Sequence, residues 1–387
     1  MNILENKNYF IIAFEFPPYR GGIANYSHTL AASLGRKKHV VKVLTTNPES
    51  TSSNYYNVIK PMRQGYSGSI WILRKVVSFL YRIYQYLFLY LHLSTIISKR
   101  KNCRIIFTSV FFDFSFLAIK ILQLFKVKYD VVLHGLDLHE LTETRPKSFT
   151  KVISRANSVF TNSTYTGQIA LQYFPEIKTT KFPPLIDSSM IDGLEILDKQ
   201  TLTARLKVDF SKRLIVSVCR LVERKGIDTA ILGASKFLAK QTNWLYLIIG
   251  EGSDKERLHN IIPVLLEDKI LLLGSVSEQV KFSILHWSEV FLMPNREIAQ
   301  KNVEGFGISF LEASYMKNWI IGGDNGGVPE AIDVSANGFL IDTENDPENQ
   351  IFDALSQINA KHHKNDALER GRNFVLKNYA LKNQWEL

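Results

Sequence analysis

At about 100–200 residues per domain, a chain of 387 residues has room for two domains, each able to bury a hydrophobic core of its own. With 45% hydrophobic and 22% charged residues the composition is that of an ordinary globular protein, which excludes a disordered chain, a collagen-like repeat and a polytopic membrane protein. The net charge of +10 is unevenly placed: residues 1–187 hold 24 Lys and Arg against 10 Asp and Glu, an excess of +14, whereas residues 188–387 carry −4. A basic half of this kind attracts nucleic acid or an anionic membrane, and charge alone does not choose between them.

The N-terminus lacks the basic stretch, apolar run and small-residue cleavage site of a signal peptide, so the cytoplasm is the expected compartment. Short β-branched and aromatic runs then alternate with helical stretches, the pattern of α/β units with doubly wound parallel sheets. Strands are expected at Tyr9–Phe14, Val40–Leu44, Arg104–Ser109, Val131–His134 and Ser158–Asn162, with helices at Ile23–Leu34 and Phe114–Phe125. Between the first turn and the second strand set, Phe16-Pro-Pro-Tyr-Arg-Gly-Gly-Ile23 leads from strand to helix. Gly21 and Gly22 would let a phosphate approach the helix N-terminus, though a tight strand–helix turn explains the same residues.

Residues 71–101 break the rhythm, being strongly apolar and aromatic with basic flanks. Their longest uncharged run, Ile83–Ser98, has 16 residues and includes Tyr84, Gln85, Tyr86, Tyr90 and His92. That is short of the roughly 20 apolar residues of a spanning helix. A buried helix and a helix lying on a membrane surface both remain open.

The proline-stiffened Lys181-Phe-Pro-Pro-Leu-Ile-Asp187 separates this series from a second one. There, strands are expected at Leu214–Arg220, Leu245–Gly250, Ile270–Leu273, Val290–Pro294, Trp319–Gly322 and Phe339–Ile341, with helices at Ile227–Ala239, Lys255–Ile262, Val280–His286 and Ile308–Met316. A cleft between two such domains is the default ligand site. Arg220 leaves an apolar strand and Lys225 follows five residues on, a pair suited to a diphosphate at the carboxyl edge of a sheet. Gly250-Glu-Gly252 opens a dinucleotide fingerprint, but its third glycine position is Lys255, and no Walker-A, His-Glu-x-x-His or Gly-x-Ser-x-Gly motif occurs. Dehydrogenase, kinase, zinc-protease and hydrolase readings lose their support. In Glu304-Gly-Phe-Gly-Ile-Ser-Phe-Leu-Glu312 two carboxylates flank a glycine-rich turn; such acids accept from vicinal hydroxyls while the turn's amides face phosphate. Cys103 and Cys219 have no metal-ligand spacing, so reduced thiols are expected.

In order and spacing these elements resemble one family over nearly the whole chain: the retaining glycosyltransferases of family 4, also described as glycosyl transferases group 1, and among them the bacterial mannosyl- and glycosyltransferases of surface-polysaccharide assembly. The matching residues are Pro17 to Gly22, His134-Gly-Leu-Asp137, Asn162-Ser163, Arg220 to Gly226, Gly250-x-Gly252, Leu273-Gly274-x-Val276, Glu304 to Glu312, Gly326-Gly-Val-Pro-Glu330 and Asn337-Gly-Phe-Leu340. Met316-Lys-Asn-Trp319 departs from the small residue and glycine usual before that strand.

The resemblance implies the GT-B fold, two Rossmann-like parallel-sheet domains facing across a cleft. Residues 1–187 would bind the acceptor, 188–372 the nucleotide-sugar donor, and 373–387 would cross back to the first domain. It implies catalytic roles for His134, Glu304, Arg220 and Lys225, with Arg220 and Lys225 on the diphosphate and Glu304 on the donor sugar. Gly21, Gly22, Asp137, Gly305, Phe306, Gly307 and Ile308 would complete the donor site, with Val276 at the base and Glu312 at the ribose. No cofactor and no metal are expected: the chain has no Asp-x-Asp, and cationic side chains and helix dipoles would take a metal's part. A front-face displacement needs no covalent nucleophile; Asp137 is the remaining candidate for one, with an orienting or structural role favoured over it.

The basic, aromatic first half fits an enzyme working on a lipid-linked glycan at an anionic membrane, peripheral on the inner face of the cytoplasmic membrane, as in O-antigen, capsule, lipopolysaccharide or exopolysaccharide assembly. His134 to Asp137 with Asn295-Arg296 leans towards GDP-mannose, with UDP-sugars open. The alternatives are a transferase for a small soluble acceptor and a catalytically silent membrane-associated scaffold. No nucleic-acid-binding motif accompanies the basic residues.

Overall fold

The computed structural model describes residues 7–19, 21–61, 71–98, 103–110, 113–299, 302–360 and 365–381. It divides into two compact units, Met1–Pro183 and Pro184–Leu387, the boundary falling between the two prolines of the expected linker.

The first unit runs β1 (Asn8–Ile12), α1 (Gly22–Arg36), β2 (Val40–Leu44), β3 (Asn57–Ile59), α2 (Trp71–Ser98), β4 (Cys103–Phe107), α3 (Asp113–Leu124), β5 (Asp130–Leu133), α4 (Leu136–Thr144), α5 (Pro146–Ser154), β6 (Ser158–Thr161), α6 (Thr164–Tyr173) and β7 (Thr179–Lys181). Its seven strands lie in the order β3-β2-β1-β4-β5-β6-β7, parallel throughout. The second runs α7 (Ser188–Asp192), α8 (Lys199–Leu206), β8 (Arg213–Val218), α9 (Ile227–Leu238), β9 (Trp244–Ile249), α10 (Lys255–Asn260), β10 (Ile270–Gly274), α11 (Glu278–Trp287), β11 (Val290–Met293), α12 (Ile308–Tyr315), β12 (Trp319–Gly323), β13 (Gly338–Ile341), α13 (Pro347–Ala360) and α14 (Asn365–Asn378). Its six strands are ordered β10-β9-β8-β11-β12-β13, again all parallel.

Central strands such as Trp244-Leu-Tyr-Leu-Ile-Ile249 and Val290-Phe-Leu-Met293 are buried at every residue, because helices cover both sheet faces and alternation gives way to continuous apolar runs. The chain order reverses direction between β1 and β4 in one sheet and between β8 and β11 in the other, and ligands settle outside the carboxyl ends of strands at such points.

Several expectations are corrected. The first, third and sixth expected strands end two residues early, at Ile12, Phe107 and Val218, so Arg220 lies in the loop beyond β8 rather than at a strand end. The edge strands β3 and β7 have three residues each, too few for an apolar run to stand out in β3, while β7, Thr-Thr-Lys, is wholly polar. The last helix starts at Asn365, well before 373, and packs on α12 within the second unit. After it, the Ile186 amide donates to the Tyr379 carbonyl at 2.8 Å, and the Ile186 carbonyl accepts from the Leu381 amide at 3.0 Å. The rest of the segment expected to cross back, 382–387, lies outside the described residues.

At the departure before β12, Lys317 takes the left-handed conformation (φ 64°) that the family's usual glycine would adopt without strain, while Asn318 is fully buried and donates to the carbonyls of Leu285 and Ser288 at 3.0 and 2.6 Å. Helix α2 satisfies neither of its two readings alone. Leu89, Leu93 and Ile96 are buried, while Leu80, Ile83, Leu87, Tyr90 and Leu91 form an exposed stripe at helical spacing. Among the described residues no helix is long and apolar enough to cross a membrane.

Candidate active site

Several helices start at a capping side chain: Asp198 accepts from the Thr201 amide at 2.7 Å, and Ser277 from that of Val280 at 3.3 Å. Four helices that open on a glycine past a strand do not. α1, α4, α9 and α12 begin at Gly21, Gly135, Gly226 and Gly307, with no capping side chain, which leaves first-turn amides for an outside acceptor.

In the second unit the site grows from the loop after β8. Residues Glu223–Lys225 form one 3₁₀ turn that ends at Gly226 in the left-handed conformation (φ 66°), where a Cβ would stand 2.0 Å from the Pro294 carbonyl oxygen. Glycine here is what lets the loops after β8 and β11 touch. The Arg296 amide donates to the Arg224 carbonyl at 2.9 Å, and the Arg296 guanidinium grips Asp228, at the start of α9, with two contacts of 2.9 Å. The two loops are thereby laced together.

Their product is a cluster around Glu304. Its Oε2 accepts from Lys225 Nζ at 2.5 Å, from Arg224 Nη1, and from Asn295 Nδ2 at 3.4 Å. All three contacts fall on one carboxylate oxygen. Lys225 is 8% exposed and Asn295 fully buried. Burial would push the Glu304 carboxyl up, but the Lys225 ammonium and Arg224 guanidinium outweigh it and hold the pKa at about 2. Cys219, a free thiol in the same loop, is pushed up to about 12 by burial and stays neutral. Arg220 is exposed and has no ion-pair partner among the described residues.

A carboxyl depressed from its ordinary value of 4.5 stabilises the fold fully above that value, and the contribution is lost as pH falls towards 2. Acid titration of the unaltered protein should therefore show a loss of thermal stability between about pH 5 and 2 that is smaller in Glu304→Gln, measured by differential scanning fluorimetry. Equal slopes in the two proteins would contradict the pairing.

Gly305, Phe306 and Gly307 lie buried beside Glu304. Gly307 is left-handed (φ 90°), and a Cβ there would meet Phe310 at 2.6 Å. The Phe306 ring packs on Tyr379, so only its backbone remains for the donor role expected of it. Ile308 opens α12 and is half-buried, and Glu312 is buried one turn further on. Glu312 is held by Lys281 of α11, whose Nζ lies 3.1 and 3.0 Å from its two oxygens and 2.9 Å from Glu278. Burial raises the Glu312 carboxyl against the pull of Lys281; burial would lower Lys281, but two carboxylates around one ammonium keep it charged. Val276 is half-buried in the loop between β10 and α11.

The first unit gathers its residues at its own switch point. Gly21 and Gly22 open α1, and space around a Cβ at Gly22 is clear to 4 Å. His134, just past β5, presents Nε2 to the Thr108 carbonyl at 2.7 Å, a contact that requires Nε2–H, and Tyr26 of α1 stands edge-on with ring centroids 5.0 Å apart. Thr108 and Ser27 share a 2.7 Å hydroxyl contact, tying β4 to α1. Asp137 does not present itself to a donor. Its oxygens accept from the His134 amide at 3.0 and 3.1 Å and from the Leu138 amide at 3.1 Å, so it shapes the turn that carries His134. Burial raises its carboxyl, against His134 and those amides.

Among the described residues no three His, Cys, Asp or Glu side chains gather as a metal ion would need. Sequence reasoning missed Arg224 and Lys281. Adjacent side chains normally diverge, so only the 3₁₀ turn brings Arg224 and Lys225 to one oxygen, and nothing local marks Lys281 as the partner of a residue 31 positions on.

Residues 20–189 match the family described as Glycosyltransferase Family 4, and residues 198–373 that described as Glycosyl transferases group 1. The chain is a family 4 glycosyltransferase. Over 136 residues the enzyme is 31% identical to WcaL of Salmonella typhimurium, named for colanic acid biosynthesis, a match covering 35% of this chain and 33% of that one. Over 199 residues it is 27% identical to a GDP-mannose-dependent alpha-(1-6)-phosphatidylinositol monomannoside mannosyltransferase of Mycobacterium tuberculosis, 51% of each chain. These matches span between 33% and 51% of the relatives' own length. The solved structure of HepE from Anabaena, in complex with UDP and glucose, aligns with a TM-score of 0.71 at 13% identity over 97% of this chain and 96% of that one, a likeness of fold. That fold is GT-B.

Proposed function

We propose that the enzyme moves a hexosyl group from a nucleoside diphosphate sugar, GDP-mannose first among the candidates, to a hydroxyl of a lipid-linked glycan, with retention at the anomeric carbon and without a metal ion. The observation that carries this reading is the convergence of Lys225 and Glu304 at the carboxyl edge of the second sheet, where its strand order reverses. A cation and a sugar-orienting carboxylate within 2.5 Å of each other suit the junction of a diphosphate and its hexose.

Arg220 and Lys225 would take the negative charge that grows on the diphosphate as its bond to the anomeric carbon breaks, helped by the amides at Gly307 and Ile308. The acceptor oxygen bonds to that carbon on the same face, and its proton passes to the departing phosphate oxygen. Electrons balance without a covalent intermediate. Glu304 would orient the hexose hydroxyls and Glu312 the ribose. His134, its ring fixed by Thr108 and Tyr26, would line the acceptor's side of the reaction.

The GDP-mannose dependence named for the mycobacterial relative favours that donor. Its phosphatidylinositol mannoside acceptor, the colanic acid context of WcaL and the exposed stripe of α2 favour an acceptor held at an anionic membrane.

A thermal-shift panel of GDP, UDP and their sugars should find one nucleotide that stabilises the protein by several degrees. That donor should then label a bacterial membrane lipid extract at a rate unchanged by EDTA, and NMR of the product should show the donor's anomeric configuration. No stabilisation by any nucleotide, an EDTA-sensitive rate or an inverted product would contradict the reading.

A further inference from the structure

We propose that Arg224 is a positioning residue for Glu304: with Lys225 it anchors Oε2, so that Oε1 is turned to the hydroxyls of the transferred sugar. The inference rests on the reading that Glu304 meets the donor sugar. Its ground is the one-sided geometry of the carboxylate, since Arg224, Lys225 and Asn295 all donate to Oε2.

Two cations on one oxygen are more than charge neutralisation needs, and they differ in kind. A lysine ammonium is a point charge on a flexible stem that also has a diphosphate to serve. A guanidinium is permanently charged and planar, and it holds a carboxylate in a fixed direction. Arg224 is placed for that duty by its own backbone: its carbonyl accepts from the Arg296 amide at 2.9 Å, and Arg296 is in turn fixed on Asp228. The anchor therefore belongs to the same laced pair of loops that carries Glu304. With Arg224 in place, Lys225 is released to divide itself between Glu304 and phosphate without the acid losing its orientation.

Among the described residues, the charged or titratable groups facing Glu304 are Arg224, Lys225 and the Cys219 thiol, which stays neutral. Removing Arg224 leaves a largely buried carboxylate with one cation, and burial then drives it towards protonation.

The test compares Arg224→Gln, Arg224→Lys, Glu304→Gln and the double variant Arg224→Gln/Glu304→Gln. It follows release of nucleoside diphosphate from whichever of GDP-mannose, UDP-glucose and UDP-GlcNAc the unaltered enzyme turns over. Arg224→Gln should lower kcat about tenfold or more while KM for the donor stays within about twofold. Its rate at pH 5 relative to pH 7.5 should fall further than that of the unaltered enzyme, and Arg224→Lys should restore most of both. In the Glu304→Gln background the second substitution should cost nothing more, because the two residues act as a unit. A raised KM with unchanged kcat, an additive loss in the double variant, or a lowered melting temperature with an unchanged pH ratio would each overturn the proposal while leaving Glu304 in place. Full activity of Glu304→Gln by itself would instead defeat the underlying reading of that carboxylate.

Discussion

Lys225→Ala should lower turnover about 10²–10³-fold, the loss typical when one preorganised donor to a developing negative charge is removed. The side chain is 8% exposed, so its charge acts through little screening water. Sequence reasoning alone expects this variant and Glu304→Ala to melt almost as the unaltered protein does. The geometry revises that expectation. Taking away Glu304 strands Lys225 and Arg224 side by side in a largely buried loop, and breaking such a pair costs on the order of 3 kcal/mol. Lys225→Ala is milder, since Arg224 still compensates the acid. Activity and melting temperature should therefore separate: Lys225→Ala weak in turnover with a small loss of stability, Glu304→Ala weak in both. A Lys225→Ala enzyme with full turnover would remove the site.

Leu87→Asp with Leu91→Asp on α2 should lower vesicle binding by about tenfold or more, as two exposed apolar side chains, each worth about 1.5–3 kcal/mol when fully buried, are exchanged for carboxylates facing an anionic surface. Both residues are well exposed, at 58% and 62%, and the helix is held by its other face through Leu89, Leu93 and Ile96, so the fold should be unaffected. The neighbouring α3 ends at exposed Leu124 and is followed by exposed Phe125 and Lys126, which adds an aromatic and a cation in the same unit. Flotation with phosphatidylglycerol vesicles should show binding by the unaltered protein that weakens with salt. Release of nucleoside diphosphate in the absence of lipid should be the same in both proteins. Vesicle binding that is absent, indifferent to salt or unmoved by the two aspartates would contradict the membrane reading and favour a soluble acceptor.

How far the molecule was legible in its sequence depends on the range of each interaction. Fully buried strands such as Val290-Phe-Leu-Met293 announce themselves, because continuous apolar runs have few other uses. Three-residue polar edge strands such as Thr179–Lys181 do not, since pairing on one side needs no apolar content. Helix α2 was legible as apolar and aromatic, but not as two-faced, because its buried and exposed faces are both rich in Leu and Ile. Lys225, Glu304 and Glu312 were legible through motif spacing. Asp137 was legible in its motif, with an orienting or structural role favoured over a nucleophilic one, and a buried carboxylate that accepts from two backbone amides fits that role. Arg224 on Glu304 and Lys281 on Glu312 are contacts 80 and 31 residues apart in sequence, set by how loops meet after folding.

Lys225 and its neighbours at the edge of the second sheet are proposed to bind a nucleoside diphosphate. Isothermal titration of the unaltered enzyme and of Lys225→Ala with GDP and with UDP tests it most directly. One of the two nucleotides should bind the unaltered enzyme, and its affinity should fall at least tenfold in Lys225→Ala. Binding of equal strength to both proteins, or binding of neither nucleotide to the unaltered enzyme, would contradict it.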